Sequence, residues 1–194
     1  MANVRGYTPP DLETLPIDQR FGEVMAHFGL AHYQAQVLEH LVINFLFAKR
    51  RHECIKKSIP FENYQEVFDR ESTRLIDGKI TFGSLVVEAK KTNFFSIGVE
   101  TSLDKCVLIR NRLAHRFIRE HSENLIHSGG QKKTLSAVWD IIIFFESTQR
   151  ATRSEMIPLL ADVGLDECII ANHEADNLVV VMNGGHINRW HSDV

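Results

Sequence analysis

The apolar positions of this chain recur at threes and fours over most of its length, the spacing of one face of an α-helix. From about Ile17 to Arg51 the residues Leu30, Tyr33, Val37, Leu38, Leu41, Phe45 and Ala48 follow it, which predicts a long core helix with Gly29 as a break. Ser58 and Pro60 read as the start of a looser helix that carries Tyr64, Val67, Phe68 and Leu75 and closes at the turn pair Asp77-Gly78. Thr81 is a cap residue for a short helix through Lys91, and Asn93 to Gly98 reads as a loop. No proline or glycine interrupts the chain from about Val99 to His127, which predicts one continuous helix with Gly129-Gly130 as the turn after it. The next run, about Gln131 to Thr152, carries the stripe Leu135, Val138, Trp139 and Ile142 and should be central. The fold class is therefore all-α: an antiparallel helical bundle of about five to six helices over residues 17–163.

The ends differ from this middle. Residues 1–16 contain Gly6, Pro9, Pro10 and Pro16 without apolar periodicity and read as an extended N-terminal arm on the surface. Beyond Arg153 there is no Lys or Arg until Arg189, while Glu155, Asp162, Asp166, Glu167, Glu174 and Asp176 accumulate, so residues 164–194 read as an acidic C-terminal appendage. Within it Leu178 to Met182, followed by Asn183-Gly184-Gly185, is the one strand-and-turn signal, a lone strand or hairpin. Composition narrows the class further. Of 194 residues, 44% are hydrophobic and 24% charged, ordinary for a globular protein, and no stretch has the roughly 20 apolar residues of a membrane span. Cys54, Cys106 and Cys168 are widely spaced and odd in number, which argues against a disulfide framework and for a reducing, cytoplasmic setting. With a formal charge of −3 there is no global basic field, so contact with nucleic acid must come from a local patch.

That patch is legible. Between Lys105 and Arg119 the chain carries Lys105, Arg110, Arg112, Arg116 and Arg119 and no acid before Glu120. On a helical wheel Leu103, Cys106, Val107, Leu113, Ala114 and Phe117 fall within about 60° of Arg110, so Arg110 points to the apolar side and needs a polar partner there. Asn111 and His115, four apart, share one face with Leu108 and Ile118. Two readings stand at this point. In the first, Asn111 and His115 form a local hydrogen-bonded pair, Arg110 makes an ion pair with Glu39 of the long helix, and the other arginines are a solvated face. In the second, the same residues form a site.

Arg110-Asn111, then Arg112, Leu113 and Ala114, then His115, resembles the signature of HEPN-domain proteins: an arginine, a spacer of four to six residues and a histidine, with asparagine often directly after the arginine. Arg20 with His27 and Arg116 with His121 meet the same spacing, but only Arg110 is followed by Asn and lies inside a predicted bundle helix. The resemblance extends to the order of helices from about residue 17 to residue 155. It implies an all-α bundle that commonly forms homodimers and, in many members, a metal-independent endoribonuclease acting as a toxin or in antiviral defence, with an antitoxin protein as a candidate partner. Other members are non-catalytic nucleotide-binding or scaffold modules, which is the alternative reading. Where one family variant carries Tyr two residues after the His, this chain has Phe117, which has no hydroxyl to modify.

Cleaving RNA through its own 2′-hydroxyl needs a base for that proton, an acid for the departing 5′-oxygen and positive charge around the phosphorus. Imidazole titrates near neutrality and guanidinium matches phosphate oxygens, so His115 and Arg110 suit the work without a metal or cofactor. One His115 serves only one proton transfer at a time; two copies across a symmetric dimer supply both, with Asn111 orienting the imidazole. Arg112, Arg116, Arg119 and Lys105 would then hold flanking RNA backbone. The acidic appendage is a candidate to cover that patch. No metal site is expected: His52-Glu53-Cys54, Cys168 with His173, and His186 with His191 lack the spacing of a four-ligand module.

Overall fold

The computed structural model describes residues 9–60, 66, 69–71, 73–77 and 80–164. The described residues form an all-α bundle of five α-helices: α1 (Ile17–Lys56), α2 (Phe82–Lys90), α3 (Ile97–His115), α4 (Phe117–Ile126) and α5 (Ser128–Asp162). A 3-10 turn at Leu12–Thr14 precedes α1, and a π turn at Thr73–Asp77 precedes α2. The expected C-terminal appendage with its strand, and most of the looser helix after Pro60, lie outside the described residues.

The core is the seam between the two longest helices. Ala31, Ala35, Leu38, Val42 and Phe45 of α1 meet Val138, Trp139, Ile142 and Phe145 of α5 in one buried cluster, which closes with Leu103 and Cys106 of α3 and Phe82, Leu85 and Val86 of α2. Burying such side chains is worth about 1.5–3 kcal/mol each, which is why amphipathic spacing specifies these helices more strongly than intrinsic propensity does. Local caps fix where two of them start. Thr81 accepts from Ser84 N at α2, as expected, and Ser96 accepts from Val99 N at α3.

Contacts fix the directions of the helices, and the structure departs from the expected architecture in other respects. Contacts pair His27 with Trp139, Gln34 with Glu146 and Gln149, and His52 with Asp162, so the positions rise together and α1 and α5 run parallel, as the first and last of five alternating helices do. Helix α3 runs against both: Phe45 meets Phe95, Phe28 meets Phe117, and Cys106 meets Thr148. Gly29 does not break α1, because it faces open space and its neighbours Phe28 and Leu30 pack on the core. The arm is partly buried: Leu12 packs with Val24 and Leu135. Finally, the long helix expected from Val99 to His127 is cut at Arg116, whose φ of −129° and ψ of −28° end α3 and begin α4.

The reversal into α5 comes at His127, in extended backbone, and not at the glycine pair. Gly130 is nonetheless required, for a different reason. A Cβ there would lie 2.6 Å from Asn124 Cα, so glycine is what lets α5 start against the end of α4. Past Thr152, α5 continues to Asp162 through Pro158, adding Met156, Leu159 and Leu160 to the core.

Candidate functional site

The break at Arg116 builds the site. Arg116 N still donates to Arg112 O (2.9 Å), and Glu120 N donates to Arg116 O (2.9 Å), so one helix closes and another opens on the same residue. What turns the chain is Phe117, 2% exposed, whose ring stacks on Phe28 of α1 (centroids 5.0 Å) and lies 4.3 Å from the ring of His121. The break leaves His115 exposed as the last residue of α3, with Arg112 beside it in the last turn, where positive charge is favoured by the helix dipole.

Beneath His115 lies an open hollow of about 560 Å³, lined by Phe28 and His32 of α1, Leu113 to His115 at the end of α3, Arg116 at the break, and Ile118, Arg119 and Ser122 of α4. Among the described residues, the guanidinium groups of Arg116 and Arg119 have no ion-pair or hydrogen-bond partner. A larger hollow of about 860 Å³ between α2 and α3 is lined by Thr81, Ser84, Val87, Lys91 and Leu108 and by none of the sequence-predicted site residues.

Compared with protein-family models, with curated proteins and with solved structures, the chain gives no match.

The site residues expected from sequence divide into two groups. His115, Arg116 and Arg119 share the hollow. Arg110, Asn111, Arg112 and Lys105 are not part of its lining. Arg110, half-buried as its place on the wheel implies, donates from Nη1 to Asn111 Oδ1 (3.4 Å), and among the described residues no ion pair joins it to Glu39. Asn111 is thus turned to Arg110. Arg112 Nε donates to Glu120 Oε2 (2.6 Å), bridging the break, and Lys105 Nζ sits 4.5 Å over the ring of Phe144 on α5. Both cations therefore have partners within the chain: Arg112 links α3 to α4, and Lys105 lies against α5.

His32 is the member that sequence reasoning missed. Burial holds its imidazole below the ordinary value of 6.5; a hydrogen bond to the Leu113 backbone opposes that shift, and the charge of Arg110 adds to it. A backbone neighbour that favours the protonated ring is one toward which the ring can donate, which points to the Leu113 carbonyl near the end of α3. The one available signal was a histidine four residues after Phe28, next to the core positions Ala31 and Ala35. His121, behind Phe117, is also held below the ordinary value, by burial and then by Arg112, with Glu120 opposing.

Elsewhere, Cys106 is buried and desolvation pushes its thiol up to about 12, which makes it an inert core residue. Among the described residues no three His, Cys, Asp or Glu side chains gather as a metal-binding group, and no helix is long and apolar enough to cross a membrane.

Proposed function

We propose that this chain is a metal-independent endoribonuclease of the HEPN type, acting at the hollow beneath His115 as a toxin or defence component, with RNA, a second copy and an antitoxin protein as its partners. The observation that carries the reading is that an exposed imidazole shares an open hollow with two guanidiniums that have no partner among the described residues. Exposed guanidiniums with no protein partner among the described residues are hydrated at rest, and a phosphodiester can take the place of that water. Arg116 and Arg119 then grip the phosphate oxygens and stabilise the charge that builds as the 2′-oxygen attacks. Arg110, bonded to Asn111, reaches the hollow through its charge on His32. The homodimer belongs to the same proposal. Leu108 and Ile118, 71% and 43% exposed on the His115 side of α3 and α4, are apolar surface that a second copy would cover, and its His115 is then on offer as a second proton-transfer group.

One observation favours the non-catalytic reading, a module that holds a nucleotide or a protein: Arg110 and Arg112, both in the motif, are already engaged within the chain. The two readings part on product. Incubated with single-stranded RNA in EDTA, the protein should release fragments ending in 2′,3′-cyclic phosphate and 5′-hydroxyl, and His115→Ala should lose that activity while binding RNA as before. RNA bound but uncut by the wild type would leave the module; RNA neither bound nor cut would end the proposal.

A further inference from the structure

The hollow contains two imidazoles from one chain, His115 at the end of α3 and His32 from α1. Two features make His32 more than a wall residue. Its ring lies edge-on to Phe28, with centroids 4.7 Å apart and an interplanar angle of 76°, so its plane is held. The Leu113 backbone stands where it favours the protonated ring, and a ring that donates one N–H to a carbonyl there keeps the lone pair of its other nitrogen. The same carbonyl belongs to the last turn of α3, two residues before His115, so the contact also ties the two rings to one piece of backbone.

We infer that His32 is the second proton-transfer group of this site, taking the 2′-hydroxyl proton while His115 protonates the departing 5′-oxygen. This rests on the ribonuclease reading and completes it within one chain. The 2′-oxygen forms a bond to phosphorus as its proton passes to the free nitrogen of His32. The bond from phosphorus to the 5′-oxygen breaks, and that oxygen leaves with the proton from His115. The products are a 2′,3′-cyclic phosphate and a 5′-hydroxyl, and the two rings end with their protonation states exchanged. The charged and titratable groups around His32 suit a base that is neutral at rest: Arg110 from α3, and His115, Arg116 and Arg119 around the hollow. A second copy then contributes stability or further grip on RNA, and the acid-base pair does not depend on it.

The test separates base from acid. Wild type, His32→Gln and His115→Ala are assayed in EDTA on an RNA carrying a normal 5′-oxygen and on one in which sulfur replaces the bridging 5′-oxygen, a leaving group that needs no acid. Glutamine keeps a donor for Leu113 and cannot take the proton, and circular dichroism and RNA affinity report whether the fold survives. On normal RNA each variant should fall by about 100-fold or more. On the sulfur substrate His115→Ala should recover and His32→Gln should not. If His32→Gln cuts as wild type does while His115→Ala is dead, the inference is overturned and the ribonuclease reading stands with the base in the second copy. If the sulfur substrate rescues His32→Gln, the roles assigned here are reversed and the inference is again overturned. If wild type cuts neither RNA, the ribonuclease reading fails and this one with it.

Discussion

Polar side chains occur in two regions of this molecule, and they are treated in opposite ways. On the α1–α5 seam, Gln149 Nε2 donates to both the carbonyl and Oε1 of Gln34 (2.9 Å each), and Gln34 Nε2 donates to Glu146 Oε1 (3.3 Å); all are buried. This ladder is what fixes the register of two parallel helices whose apolar faces alone would tolerate sliding. At the hollow, by contrast, His115, Arg116 and Arg119 are exposed, and the two arginines are unpaired among the described residues, on a backbone that breaks a helix to present them. Paired polar groups in a core serve stability; exposed charged groups that converge on a concavity are candidates to meet a ligand.

If that division is right, damage at the two regions should have separable consequences. The largest effect belongs to the hollow: His115→Ala should reduce RNA cleavage by about 10²–10⁴-fold with an unchanged melting temperature, since the side chain is exposed. A matching loss of stability would show that His115 is structural and would erase the contrast. Phe117→Ala comes next, because it touches both regions. Removing a buried ring that stacks on Phe28 should cost about 3–5 kcal/mol in denaturant unfolding and also collapse the hollow. Gln149→Ala should cost about 1–3 kcal/mol by stranding the Gln34 carbonyls, and leave RNA binding untouched. The double variant Arg116→Gln with Arg119→Gln should do the reverse. Its melting temperature should hold while RNA affinity drops and the slope of log K against log salt flattens by about 1.4, the value for two lost contacts to single-stranded phosphate. An unchanged slope would place RNA elsewhere.

The same contrast explains what was legible in the sequence. Periodicity located the helices because burial of one face is a local property, and the run of arginines stood out because charge needs no structure to be counted. The break at Arg116 was hidden, since no proline or glycine marks it; Phe117 makes it by packing on Phe28, far away in the chain. The parallel course of α1 and α5, by contrast, follows from alternation itself. The five helices expected from the sequence, alternating in direction, place the first and the last in the same sense, and the cut at Arg116 leaves this unchanged because α4 continues the course of α3. Gly129-Gly130 misled in the opposite sense: glycine marked a close approach to Asn124, not the turn itself. His32 could not be found from the motif, because its place in the hollow depends on α1 lying against the end of α3.

The smallest expected effect is a pH dependence that also comes from the hollow. His32 and His121 both have folded-state values below the ordinary 6.5, set first by burial. In the unfolded chain these rings take up protons near the ordinary value, before the folded chain does, so acid favours unfolding. Their contribution to stability is therefore fully present above 6.5 and is lost as pH falls through the lowered folded values. His32→Gln removes one such ring. The advantage of wild type over this variant in melting temperature should shrink between about pH 7 and about pH 5. An advantage that grows on acidification would mean that the folded protein prefers His32 charged. A ring charged at rest would be unfit to take the 2′-hydroxyl proton, and the hollow would then resemble the seam: a set of charges held for structure.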